Sequence, residues 1–249
     1  NVCFFTLLAL YGVVDWIKTK NFKSIILGMI GFTGATFFHG AIFVGAIIFM
    51  IIIGITSLKQ FFKSIIRFNI NLKTLIIILF LIASSVVYFS DKVTIPYLGS
   101  FQKSVKIQRI LDKTSQSTKG NASWPKWTII NSPIELLYKA PIRSIYLVFA
   151  PFPWDIKKTA HLIGMFDAFI YVYLIYLISC NIKIIWRDPA LRVILIILLT
   201  YLFVFGIGVG NFGTGIRHRS KFAVMFILLA APLIKNFIFT KKIKNSKNK

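Results

Sequence analysis

Apolar residues fall into six long runs, Val2–Val14, Ile25–Ile55, Leu72–Phe89, Leu162–Cys180, Leu191–Gly208 and Phe222–Phe239, separated by basic or polar stretches. Soluble helices alternate apolar and polar positions with a period near 3.6, and these runs do not. Most have the length of about 20 residues that carries a helix across the ~30 Å hydrocarbon core of a bilayer. The pattern predicts an all-α fold: a polytopic transmembrane helical bundle of about six to seven spans.

The second run is too long for one simple span. Its thirty-one residues would extend roughly 46 Å as a helix against a core of about 30 Å. The stretch "GFTGATFFHGA" predicts a break there, because Gly31, Gly34 and Gly40 loosen the helix and His39 is the only ionisable group in the run. One tilted helix or two shorter ones both fit the pattern.

Between Ser90 and His161 the apolar pattern lapses. "SPIE" at Ser132–Glu135 is a capping box with Pro133 at the first helical position, so a short helix is expected to start there. It then meets Pro141, and "IYLVFAPFPW" ends in two prolines, which makes the segment too interrupted to span. With Trp124, Trp127 and Trp154 it reads as a partly helical loop lying at a membrane interface. "LDKTSQSTKGNASW" (Leu111–Trp124) has little apolar content and reads as a mobile crest.

Charge gives these elements an orientation. Thirty Lys and Arg stand against seven Asp and Glu, a formal net charge of +23. In a soluble chain that excess would point to nucleic acid; here the cations lie between apolar runs, so anionic lipids are the expected partners and nucleic acid is not. Lys241, Lys242, Lys244, Lys247 and Lys249 make the 240–249 tail cytoplasmic by the positive-inside rule. Counting back puts the loops with Lys183 and Arg187, and with Lys59, Lys63, Arg67 and Lys73, inside. The 90–161 loop is then extracytoplasmic. Lys18, Lys20 and Lys23 also belong inside, which requires an even number of crossings through the second run and favours the break. The chain reads as one membrane-embedded unit, 1–249, and its opening inside an apolar run predicts that it is the C-terminal part of a longer polypeptide. Cys3 and Cys180 fall in spans and read as small apolar residues.

On this topology His39, His161 and His218 all fall near the outer face. "GNFGTGIRHRSK" (Gly210–Lys221) also places Arg217, His218, Arg219 and Lys221 there, against the positive-inside trend. Guanidinium groups bind phosphate oxygens in a bidentate manner and stay charged at all relevant pH values, which makes Arg217 and Arg219 candidate phosphate ligands, with Lys221 beside them. The alternatives are that the cluster only anchors the last helix to headgroups, or that the topology is inverted. His39 and His218 are candidate general bases, since imidazole titrates near neutrality; the plainer alternative for His39 is a packing hydrogen bond. Asp167, six residues after His161, sits just inside a span, where it would pair with an arginine of the 217–219 cluster or only stabilise that packing; with His161 it is a candidate substrate-binding residue. Asp-x-Asp, HExxH, GxSxG, Walker and metal-ligand patterns are missing from the sequence, so no metal site and no cofactor are expected.

Taken together, "FFHGA" (Phe37–Ala41), "APFPW" (Ala150–Trp154) with "HLIG" (His161–Gly164), and "NFGTGIRHRSKF" (Asn211–Phe222) give the chain a resemblance to O-antigen and exopolysaccharide repeat-unit polymerases of the Wzy type. The resemblance implies a metal-independent glycosyltransferase of the bacterial inner membrane. Such an enzyme joins oligosaccharide repeat units carried on undecaprenyl diphosphate at the outer face, alongside other polysaccharide-assembly membrane proteins. It also implies that Arg217 and Arg219 hold the diphosphate. An O-antigen ligase would share that donor; a transporter or a non-catalytic subunit are rivals from other classes.

Overall fold

The computed structural model describes residues 1–66, 94–95, 99–100, 107–118, 122–156 and 158–232. Apart from one two-residue antiparallel pairing of Thr94–Ile95 with Gly99–Ser100, the described residues that form regular structure are helical. Four helical stretches, Val2–Thr19, Gly40–Lys59, His161–Cys180 and Pro189–Gly208, are long and apolar enough to cross a membrane. A multi-pass helical membrane protein is therefore what these residues build. The expected span Leu72–Phe89 and the tail 240–249 lie outside the described residues, as does the last part of Phe222–Phe239.

The chain divides into two compact units, one of Asn1–Trp16 and Asn21–Ile110, the other of Ile17–Lys20 and Leu111–Lys249. The first contains most of α1 (Val2–Thr19), α2 (Phe22–Phe38) and α3 (Phe43–Ile66). The break expected in the second apolar run is present: α2 stops at Phe38, His39 is extended (φ −155°, ψ 102°), and a single 3₁₀ turn, Gly40–Ile42, leads into α3. Within this unit α1 and α2 cross at small residues. A Cβ on Gly12 would sit 2.3 Å from the Gly28 backbone nitrogen, and one on Gly31 the same distance from that of Ala9. Only glycine permits that approach, and in lipid such close backbone packing supplies much of what holds two helices together. The Ser24 hydroxyl donates to the Asp15 carboxylate near the polar end of the pair.

The second unit carries α4 from Leu111 onward (the helix runs Ile107–Ser117), α5 (Pro133–Phe149), α6 (Thr159–Cys180), α7 (Ile182–Arg187), α8 (Pro189–Gly208), α9 (Phe212–Arg219) and a helix over 223–232. Three of these starts have a local cause in a side-chain cap. Ser132 Oγ accepts from the Glu135 backbone N–H, with Pro133 in the first turn. Asp188 Oδ1 accepts from the N–H groups of Ala190 and Leu191 at the head of α8, and Asn211 Oδ1 from those of Gly213 and Thr214 at the head of α9.

Two expectations for the loop are revised. α5 continues for 17 residues straight through Pro141. Its capping and tertiary packing outweigh the hydrogen bond that a proline removes. The stretch read as a mobile crest is helical as far as Ser117, and Thr114 is wholly buried with its hydroxyl donating to the carbonyls of Leu111 and Ile130. A few hydrogen-bonded threonines anchor it where apolar content is low.

α5 packs against α8, and the core of this unit gathers around Leu147, Ile197, Tyr201, Phe205, Phe222 and Phe226. On α6, by contrast, Ile163, Phe166, Ile170, Tyr173 and Tyr176 are exposed, as a lipid-facing stripe should be.

Candidate functional site

The basic motif Gly210–Lys221 does not fold as a floppy loop. α8 ends at Gly208, the chain turns through Val209–Asn211, and α9 carries Arg217, His218 and Arg219 in its last turn. Backbone bonds fix the turn: the Trp124 N–H donates to the Gly210 carbonyl at 2.8 Å and the Phe212 N–H to that of Ala122 at 2.9 Å. Gly210 fits so closely against Ser117 and Thr118 that an added Cβ would lie 2.5 Å from the Thr118 hydroxyl.

Arg219 is 0% exposed. Its Nε donates to Asp167 Oδ2 at 2.6 Å, its Nη1 to the carbonyls of Val148 and Ala150 at 2.9 and 2.7 Å, and its Nη2 to that of Gly164 at 2.6 Å. The guanidinium lies 5.5 Å over the Tyr171 ring. Its pairing with Asp167 was one of the two roles that the sequence allowed. The arrangement joins the C-terminal end of α5 to α6 and α9, with a cation where the last carbonyls of α5 carry partial negative charge. Facing protein groups on all sides, Arg219 is not presented to a phosphate, and the ligand role expected of it is replaced by a structural one. Asp167 keeps a side chain about one-third exposed beside this pair.

Arg217 differs in every respect. Its side chain is exposed and, among the described residues, makes no hydrogen bond or ion pair. Two short contacts adjust the histidines. The Lys221 ammonium donates to His218 Nδ1 at 3.0 Å. An ammonium has no lone pair, so Nδ1 is the accepting nitrogen and neutral His218 carries its proton on Nε2. His161 is the opposite case. Its Nδ1 donates to the Asp155 carbonyl at 3.2 Å, so Nε2 is its basic nitrogen, and the ring lies edge-on to Phe212 at the head of α9, 5.4 Å between centroids.

The second unit thus brings together His161, Asp167, Arg217, His218, Arg219 and Lys221 on or against α9, from sequence positions more than fifty residues apart. His39 belongs to the other unit, where it caps α2 and its backbone N–H donates to Ala35.

The residue missed from sequence is Arg143, also 0% exposed. It donates from Nε to the Gly206 carbonyl at 3.0 Å, from Nη1 to that of Thr128 at 3.0 Å, and from Nη2 to those of Ile207 (3.2 Å) and Val209 and to Ser117 Oγ (3.4 Å). Burial lowers its pKa to about 10, which leaves it charged at neutral pH. The available signal was a lone arginine inside the apolar stretch Ile142–Phe149.

Around it the tryptophans form a connected aromatic cluster rather than a loose belt. Arg143 lies 5.1 Å over Trp124, Trp124 and Trp127 both meet Tyr146, and Phe152 stacks on exposed Trp154 at 4.9 Å. Burial, with the Asp155 charge adding to it, raises the Tyr146 pKa, so its phenol stays protonated.

No protein-family model matches this chain, and no curated protein or solved structure does either.

Proposed function

We propose that this protein is a polytopic membrane glycosyltransferase that polymerises oligosaccharide repeat units carried on a polyprenyl diphosphate, at the outer face of the bacterial inner membrane. The observation that carries this reading is the exposed Arg217 beside the Lys221–His218 pair, on a short helix whose neighbouring Arg219 is fixed inside the protein. A bidentate cation next to a second cation suits a lipid diphosphate leaving group, whose negative charge grows as the glycosidic bond breaks. His218, protonated on Nε2, fits a donor to that leaving group. His161, basic at Nε2, fits the group that takes the proton of the attacking sugar hydroxyl.

In this reading the fold has six to seven spans. The C-terminal tail is cytoplasmic, the 90–161 segment is extracytoplasmic, and anionic lipids contact the basic loops. The exposed Trp127 and Trp154 suit a segment lying at the outer interface.

A gel of surface and lipid-linked glycan from the source cell tests the reading. Cells with the intact gene should show a ladder, and deletion or Arg217→Ala should collapse it to single repeat units. Long polyprenyl-linked chains that never reach lipid A would mark a ligase instead. An unchanged pattern on deletion would remove both glycan activities and leave a transporter or a structural subunit.

A further inference from the structure

Arg143 and Arg219 do the same thing at opposite ends of one segment. Arg143 takes Gly206 and Ile207 in the last turn of α8, together with Val209 just beyond it. Arg219 takes Val148 in the last turn of α5, together with Ala150 just beyond it. Both cations therefore sit among helix-terminal carbonyls that have no partner within their own helix. The segment Val209–Arg219 begins at one guanidinium and ends at the other.

The two differ in compensation. Arg219 has the Asp167 carboxylate, whereas among the described residues no carboxylate lies within ion-pair distance of Arg143. A buried charge without a counter-ion is costly and persists only where its hydrogen-bonding geometry is well satisfied. The acceptors of Arg143 come from four places: Ser117 at the end of α4, Thr128 before α5, the end of α8, and Val209 in the turn to α9. No other side chain type reaches so many acceptors from one planar group, and a lysine ammonium would lose most of them. Trp124 continues the brace, for its ring lies under the guanidinium and its Cζ2 comes within 3.8 Å of a Cβ added to Gly215, halfway along α9.

We propose that Arg143 is a positioning residue: buried and beyond the reach of any ligand, it fixes the turn before α9 and so sets where Arg217 is held. The proposal rests on the phosphate-binding reading for what Arg217 does, but not for whether Arg143 holds it in place. It divides the three arginines by task, with Arg143 and Arg219 clamping the segment and Arg217 alone facing out.

Spin labelling separates the two questions. In a full-length protein with Cys3 and Cys180 replaced by Ser, one nitroxide is placed by Arg217→Cys and, separately, another by Leu199→Cys on the exposed side of α8. Arg143→Lys should narrow the spectrum at position 217 to that of a mobile label and leave position 199 unchanged. An unchanged spectrum at 217 overturns the proposal, and so does loosening at both positions, since Arg143 would then support the whole fold rather than this segment. Trp124→Leu, which removes the ring beneath the guanidinium but keeps the charge, should mobilise position 217 in the same direction. It decides the matter if Arg143→Lys does not fold, and an unaltered spectrum there again overturns the proposal.

Kinetics with a lipid-linked donor supplies the functional arm. Arg143→Lys should lower kcat/KM tenfold or more, mainly through KM. The Arg143→Lys, Arg217→Ala double variant should be no worse than about the more impaired single variant. Losses that multiply would mean that Arg143 acts independently of Arg217, against the proposal. If Arg217→Ala alone leaves donor kinetics untouched, the polymerase reading falls, while the spectrum at 217 still decides the clamp.

Discussion

Arg217 and Arg219 carry the same side chain two positions apart, and the helix turns them to opposite fates. At 100° per residue, positions i and i+2 point about 200° apart, so one faces out while the other is buried. Replacing them by lysine should therefore separate stability from function. Arg219→Lys leaves Asp167 and several helix-end carbonyls poorly paired and should cost about 3 kcal/mol. Arg217→Lys should stay within about 0.5 kcal/mol of the parent. Thermal unfolding of the detergent-solubilised protein, followed by tryptophan fluorescence, reads both. Glu135 gives a smaller, pH-dependent effect. The Asn131 backbone N–H, first, and the Lys139 ammonium hold its carboxyl below its ordinary pKa. A carboxyl whose folded pKa is depressed stabilises the fold above the ordinary range, and that contribution disappears as pH falls through the folded value. Glu135→Gln should thus lower the unfolding temperature slightly at pH 7, and the difference should vanish as pH falls through the folded value. The basic cluster 217–221 was visible in the sequence, but which of its arginines is enclosed was not. Which arginine is enclosed depends on carbonyls of Val148, Ala150 and Gly164, more than fifty residues away.

Helices were legible where the local signal was strong. The apolar runs of α1, α6 and α8, the Ser132 cap and the break at His39 all follow from composition, capping chemistry and glycine placement within a few residues. Legibility failed where tertiary contacts overrode local preference. Pro141 predicts a stop, yet α5 runs on because Ala140, Arg143 and Leu147 are buried together. Leu111–Ser117 looks polar enough to be disordered, yet the Thr114 hydroxyl bonds inward to the Ile130 carbonyl and Ser117 accepts from Arg143. The α5–α8 contact depends on Gly206, where an added Cβ would lie 2.8 Å from the Ser144 backbone nitrogen. Gly206→Ala should force the two helices apart, at about 1–3 kcal/mol. Because the Gly206 carbonyl is also an Arg143 acceptor, it should disturb the 209–219 segment as well. A lower unfolding temperature with easier proteolysis near Asn211 would bear this out, and an unchanged temperature would refute it.

For the whole molecule, hydropathy fixes the class: four membrane-length helices among the described residues make a multi-pass membrane protein. The activity we propose rests on one short helix, about which composition is silent. In the second unit a small polar segment, held by the buried Arg143 and Arg219, sits among apolar helices. The central claim is that Arg217 on this segment handles a lipid-linked diphosphate in glycosyl transfer. The most direct measurement uses the full-length protein purified into lipid nanodiscs, given a polyprenyl-diphosphate-linked repeat unit in the presence of EDTA, with products separated by size. The account predicts a ladder of joined repeats from the parent protein, retained by a mock substitution on the lipid-facing side such as Leu199→Ala and lost with Arg217→Ala. Failure of the parent to join repeats while it still binds the lipid-linked donor, or an undiminished ladder from Arg217→Ala, would contradict it.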